Sequence, residues 1–324
     1  MSGWLGRLPR ERRRLDEAAL RSAAIVVPFI VLFVALAWAS PNFLTANNVL
    51  NLLDQQSAVL IIAAAGTLVL VAGGIDLSVG AVAGLAAVTA ATVTLIAGPF
   101  VGIAAGISLG LFAGLANGVI VTVFRINPLI ATLAMSFVVA GLSSLITRGN
   151  LLVLFDYPDF GAVARTDILG VKSSTWLMVI AVALIGIVLA RTAFGRYVYA
   201  VGGNREAAYL AGIPVRAVRL ATFVISGGAA GLGGVIVASR SLSAQATSGQ
   251  ELAFTVLAGI VVGGTSIAGG EGAVWRTAVG VMFIALIGNG FNLLSPDPLY
   301  RQIALGVIIL LAVGIDAAIR SSRR

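Results

Sequence analysis

Ala58-Val-Leu-Ile-Ile-Ala-Ala-Ala-Gly-Thr-Leu-Val-Leu-Val-Ala72 is the stretch on which the fold turns. It is apolar on every face. The strands of a membrane β-barrel run to about 10 residues and alternate in polarity, so this stretch does not suit a barrel. A helix that crosses the hydrocarbon needs about 20 mostly apolar residues, and a span over 57–73 with its flanks comes close to that length.

The same pattern recurs on both sides. Apolar runs between short polar breaks predict spans at roughly 23–40, 78–96, 101–123, 128–147, 175–190, 218–238, 252–269, 273–292 and 301–318. The expectation is an all-α, polytopic membrane protein of about 10 transmembrane helices. Composition agrees, because 59% hydrophobic and 10% charged residues in a 324-residue chain, with a mean hydropathy of +1.04, lie outside the range of soluble domains. The first run, Ser22 to Ala39, follows Arg7, Arg10, Arg12, Arg13, Arg14 and Arg21 and lacks a small-residue cleavage site, so it reads as a retained span.

A net charge of +8 and a pI near 10.9 would suit nucleic acid, but the charge is almost all arginine gathered at segment ends. Membrane orientation accounts for it, and no nucleic-acid partner is expected. With the N-terminus inside, sixteen Arg and Lys residues fall on the cytoplasmic side and five on the other, the sense of the positive-inside rule. Both termini are then cytoplasmic. The expected division is a cytoplasmic segment 1–22, a transmembrane domain 23–318 and a cytoplasmic tail 319–324, with an outer loop at about 148–174 and an inner loop at about 191–217. The outer loop, with Asp156, Tyr157, Pro158, Asp159 and Asp167, is either a solvated connector or a contact surface for a delivery protein.

Histidine and cysteine are absent. Disulfides, thiol catalysis, histidine relays and the usual zinc or haem ligation are thereby excluded. No metal or cofactor site is expected in this chain. A P-loop needs a Gly-Lys-Ser or Gly-Lys-Thr ending, and the single lysine, Lys172, follows Val171. The chain therefore borrows energy or runs passively, and no paired carboxylates or nucleophile–base set suggests a membrane enzyme.

Polar residues inside such a chain are the candidates for function. An acidic residue at the bilayer centre costs on the order of 3 kcal/mol, so Asp76, in the break Gly73-Gly74-Ile75-Asp76, should sit at an interface, face a polar cavity or cap a helix. Capping by Asp76 or Ser78 competes with solute contact or gating. Asn117, Asn127, Thr132, Ser136, Asn289 and Asn292 could hydrogen-bond the hydroxyls of a neutral solute, and Phe137 and Phe291 could offer stacking platforms; hydrogen bonding between helices explains most of them equally well. Gly227, Gly228, Gly231, Gly233 and Gly234 read as sites of close helix packing in lipid. In the inner loop, Asn204 is a helix N-cap, Glu206-Ala207-Ala208 a helix start, and Gly212 with Pro214 a stop. A short helix beneath the membrane follows, suited to a groove on a soluble partner or to the membrane surface.

Four stretches resemble the permease subunits of ABC importers for ribose, xylose, arabinose and related monosaccharides. They are Gly73-Gly74-Ile75-Asp76-Leu77-Ser78-Val79-Gly80, Thr132-Leu133-Ala134-Met135-Ser136 running to Arg148-Gly149, the loop Gly195 to Gly212, and Val262-Gly263-Gly264-Thr265-Ser266 with Gly269-Gly270 and Asn289 to Leu294. The likeness spans nearly the whole chain in order and spacing. Glu271 and Trp275-Arg276 depart from it, being bulky or charged where small residues are expected.

The resemblance implies a bacterial inner-membrane permease with a second permease chain beside it, identical or related. It also implies a cytoplasmic sugar-type ATPase carrying ATP and Mg, a periplasmic sugar-binding protein, and lipid around the spans. The 195–212 loop would be the coupling helix that docks on the ATPase, with Gly195, Arg196, Gly202, Asn204, Glu206, Ala207, Ala208 and Gly212 as its motif residues. The rival readings are an ABC permease for a nucleoside, polyol or branched-chain amino acid, and an ion-coupled secondary carrier.

Overall fold

The computed structural model describes residues 10–294 apart from 248 and 250, together with 303, 306 and 307, and side-chain surroundings from residue 25 onward. Helices α1 (Arg10–Ala39), α2 (Ala46–Val71), α3 (Val79–Ala97), α4 (Pro99–Thr122) and α5 (Pro128–Thr147) follow one another through short turns. β1 (Leu152–Val153), α6 (Pro158–Arg165), β2 (Asp167–Ile168) and β3 (Val171–Lys172) form the next connection. Then come α7 (Ser173–Arg191), α8 (Ala193–Gly203), α9 (Arg205–Leu210), α10 (Val215–Ser241), β4 (Ser243–Ala244), α11 (Leu252–Val262) and α12 (Val274–Leu294).

Seven of these, α2, α3, α4, α5, α7, α10 and α12, are long and apolar enough to cross a membrane. Of α1, the part whose side-chain surroundings are described, Ile25–Ala39, is apolar. The span expected over 252–269 is instead the 11-residue α11, about 16 Å long at 1.5 Å per residue and so about half the hydrocarbon thickness. Its early end has a local cause. A Cβ on Gly263 would lie 2.6 Å from the Arg276 carbonyl oxygen, and Gly264 takes φ +76°, which turns the chain out of the helix. The span expected over 301–318 lies outside the described residues.

The core is α2. Of its apolar stretch 78% is buried, against 22% for α5 and 28% each for α4 and α7. Helices α10, α12, α11 and α7 surround α2, while α3 packs on both α10 and α4, which also pack directly on each other. Close approach there depends on missing side chains. A Cβ on Gly110 of α4 would run into the Gly227 carbonyl of α10, and one on Gly227 into that of Gly110; Gly231 and Gly234 meet Gly106 and Ala83 in the same way. The packing role expected for the α10 glycines is what the structure has, because a helix without Cβ atoms lets a neighbouring backbone approach.

The connection from α5 to α7 is folded against the bundle. β1 pairs antiparallel with β4, Leu154 N–H donates to Leu242 O at 2.8 Å, and Phe160 and Leu154 are fully buried. Ser239 on α10 fixes α6 by donating its hydroxyl to Phe160 O (2.7 Å) and accepting from Ala164 N (3.1 Å). This segment caps the end of α10 opposite to α8 and α9.

Candidate transport and coupling site

Two adjoining structures bring most of the predicted residues together. The first is a polar cluster around Asp76, in the break between α2 and α3. One carboxylate oxygen accepts from Ser78 N (3.0 Å) and Ser78 Oγ (2.6 Å); the other accepts from Ser226 Oγ of α10 (2.9 Å). Asn117 of α4 donates through Nδ2 to Ser78 Oγ at 2.7 Å, and Thr132 of α5 accepts from Leu77 N at 3.1 Å. The break is thus held by α4, α5 and α10 at once. Ser78 stands at the start of α3 without a side-chain cap bond of its own; its hydroxyl serves the Asp76–Asn117 link.

The cluster is filled. Beside Asp76 a slot between α2, the start of α3 and α11 has a volume of about 10 Å³, room for at most one water. Asn117 Oδ1 is buried without a partner, which leaves one acceptor free inside the cluster. A sugar hydroxyl reaches these groups only if the helices part.

The second structure is a joint of glycines below the cluster. Gly270 N–H donates to Val71 O at 2.8 Å, which ties the α11–α12 connection to the last turn of α2. Gly202, near the end of α8, lies so close to the Val71 carbonyl that a Cβ there would overlap it. A Cβ on Gly269 would lie 2.8 Å from Gly73 Cα, and one on Gly270 2.9 Å from Gly203 Cα. Two side chains pin the joint: Arg205 Nη2 donates to Gly73 O at 2.6 Å, and Tyr199 Oη donates to Gly272 O at 2.7 Å. Burial raises the Tyr199 phenol above its ordinary pKa against the opposing charge of Arg276, so it stays a donor at neutral pH. Three motif stretches far apart in sequence, 73–80, 195–212 and 262–270, therefore meet at one point.

The loop at 195–212 folds as two helices. Thr192 caps α8 by accepting from Gly195 N (3.2 Å), and Asn204 caps α9 by accepting from Glu206 N and Ala207 N at 3.0 Å each. Gly212 stops α9 with φ +79°. Ala208 is buried, while Arg196, Glu206, Ala207, Tyr209 and Leu210 are exposed.

The other predicted pathway residues lie elsewhere. Asn127 caps α5 by accepting from Leu129 N at 2.9 Å, and Ser136 donates to Leu133 O in its own helix at 2.6 Å. Asn289 of α12 exchanges hydrogen bonds with Asn48 at the start of α2 (2.8 and 3.1 Å). Asn292 is exposed, and so is Phe137, at 71%. Sequence reasoning missed Ser226, Arg205 and Tyr199. For Ser226 a signal existed: Thr222 and Ser226 lie four residues apart, on one helix face that continues through Ala230 and Gly234.

A protein-family model described as "Branched-chain amino acid transport system / permease component" matches residues 48–313. The ribose import permease of Bacillus subtilis (strain 168) is 38% identical over 294 residues, covering 89% of this chain and 91% of that protein. The ribose import permease of Escherichia coli (strain K12) is 37% identical over 309 residues, with 94% and 96% covered. The L-arabinose ABC transporter permease of Azospirillum brasilense is 35% identical over 306 residues, with 94% and 90% covered. No solved structure matches the chain. With seven long apolar helices among the described residues and relatives of this kind, the protein is a multi-pass inner-membrane protein, and it belongs to the family of transport-system permease components that this model describes.

Proposed function

We propose that this chain is the membrane-spanning permease of an ATP-driven importer that passes a monosaccharide, a pentose or hexose, across the bacterial inner membrane. The observation that carries the reading is the joint at Gly73, Gly202 and Gly270, which links the α8–α9 loop rigidly to the break holding Asp76. A pull or push on α9 is then felt at the helices that close over the polar cluster. Ribose and arabinose permeases among the relatives support the cargo class.

In this reading about ten crossings, one of them made by the segment that contains the half-length α11, put both termini in the cytoplasm, with the 1–22, 23–318 and 319–324 division. α8 and α9 face a cytoplasmic ATPase, which binds ATP and Mg and supplies the hydrolysis that this chain does not perform. The 148–174 connection faces a periplasmic sugar-binding protein, and a second permease chain, identical or related, completes the pore. Gly195, Arg196, Gly202, Asn204, Glu206, Ala207, Ala208 and Gly212 shape the coupling loop. Asp76, Ser78, Asn117 and Thr132 line the gate; Asn127, Ser136, Asn289 and Asn292 belong to the wider pathway.

The test is reconstitution of the chain in vesicles with its ATPase and binding protein, measuring uptake of labelled ribose and arabinose. Uptake is expected to require both ATP and the binding protein, and Glu206→Arg is expected to lower sugar imported per ATP hydrolysed. Uptake driven by an ion gradient without the ATPase would overturn the reading in favour of a secondary carrier.

A further inference from the structure

The end of the bundle that carries α9 also holds a cavity of about 760 Å³, apart from the Asp76 cluster and sharing only Arg205 with the glycine joint. Its walls are Arg125 from the α4–α5 turn, Arg205 and Tyr209 from α9, and the run from Gly212 into α10 with Arg216. The first turn of α10 adds donors. Pro214 caps it without a side-chain bond, Val215 N and Val218 N find partners at Ile213 O and Pro214 O, and the N–H groups of Arg216 and Ala217, both in the cavity wall, are left to the helix start.

Behind that wall, and not itself lining the cavity, Arg219, about one turn along α10 from Arg216, is 8% exposed and keeps Nε and Nη2 without a hydrogen-bond partner, which adds buried positive charge to this end of the bundle. Among the described residues no ion pair involves Arg125, Arg205, Arg216 or Arg219. Glu206, next to Arg205, is exposed and pairs with none of them. Buried or crowded positive charge without a counter-charge is costly; an anion in the cavity relieves it. Guanidinium forks and free helix-start N–H groups suit phosphate oxygens.

The surroundings say which phosphate. Next to Arg125 stand Phe124, Ile126, Leu129 and Ile130, 69%, 43%, 44% and 61% exposed, an apolar shelf on the α4–α5 turn and the first turn of α5. Acyl chains can lie on such a shelf while a headgroup sits among the arginines. Free phosphate, or a carboxylate of a docked protein, would use the charge and leave the shelf idle. We propose that this cavity binds the headgroup of an anionic phospholipid, of which phosphatidylglycerol is the probe, at the membrane face shared by α4, α5, α9 and α10. Basic pockets at helix ends on the cytoplasmic side hold such headgroups; only the choice of leaflet rests on the transport reading.

The test is native mass spectrometry of the full chain in mild detergent with equal amounts of phosphatidylglycerol and phosphatidylcholine of the same acyl chains. The expected result is one phosphatidylglycerol retained per chain with a preference of about tenfold, which corresponds to about 1.4 kcal/mol. Arg125→Gln with Arg216→Gln should abolish that preference, while Arg125→Lys with Arg216→Lys should keep most of it. Equal retention of the two lipids by the unsubstituted chain, or an equal loss of preference in both double variants, would overturn the proposal. Displacement of the lipid by excess inorganic phosphate would overturn the lipid as source, and its expulsion when the ATPase binds would assign the site to that partner. A chain that imports sugar without selecting the lipid overturns this inference alone; one that selects the lipid and imports nothing overturns the transport reading alone.

Discussion

Asp76 accepts three hydrogen bonds on two oxygens inside a nearly closed cluster. Alanine there strands the Ser78 and Ser226 hydroxyls away from water, and a buried polar group left unpaired costs about 1–3 kcal/mol. Asp76→Ala is therefore expected to lower the thermal midpoint of the purified chain in detergent, and Asp76→Asn, which keeps the shape and one acceptor, to lower it less. Equal midpoints for all three proteins would remove the cluster as a determinant of the fold. Asp76, Ser78, Asn117 and Thr132 were legible as polar residues at breaks or inside spans, and the structure does gather them. Asn127 and Ser136 carried the same signal and bond only to their own helix. A hydroxyl or amide in an apolar run looks alike in sequence whether its partner is four residues away or on another helix. For that reason the cluster's second hydroxyl donor to Asp76, Ser226, stayed hidden among packing glycines.

The α4–α10 contact is made by backbones, so it is sensitive to a single methyl. A Cβ on Gly110 meets the Gly227 carbonyl directly, whereas one on Gly141 of α5 meets nothing within 4 Å. Gly110→Ala is expected to destabilise by about 1–3 kcal/mol through overpacking, and Gly141→Ala to be neutral or stabilising by up to about 1 kcal/mol through helix propensity and a less flexible unfolded chain. Thermal unfolding of the two variants side by side checks this; a larger loss at Gly141 would mean that α5 is packed against something absent from the single chain. The long spans were legible because hydropathy over 17 or more residues leaves few alternatives. Their ends were less so. α2 starts at Ala46, eleven residues before the expected span at 57, since Thr45 caps it and the mixed stretch Asn47 to Gln56, with Asn, Asp and Gln among its leucines, is helical. α8 was not foreseen: its Tyr-Val-Tyr and double glycine are weak helix formers, and it is the joint and the Thr192 cap that hold it. α11 was expected to run on to 269, because Val262 to Gly270 remains hydropathically neutral after the helix has turned away at Gly264.

At the scale of the molecule, arginine asymmetry predicts which end faces the cytoplasm, and the absence of cysteine makes any introduced one unique. Leu169, at the β2–β3 turn, is 90% exposed, and Leu210, at the end of α9, is 80% exposed. With Leu169→Cys a membrane-impermeant maleimide is expected to label intact spheroplasts; with Leu210→Cys labelling should appear only after permeabilisation. The opposite pattern would turn the whole chain over and move the ATPase-facing surface to the other end. Whatever that orientation, the glycine joint has a consequence for the protein's history. At Gly202, Gly269 and Gly270 a neighbouring backbone fills the space in which a side chain would grow, and Gly73 takes φ +72°, so a lineage cannot drift through these positions one replacement at a time. Descendants of this permease are free to revise loops and cargo, and they inherit the joint whole.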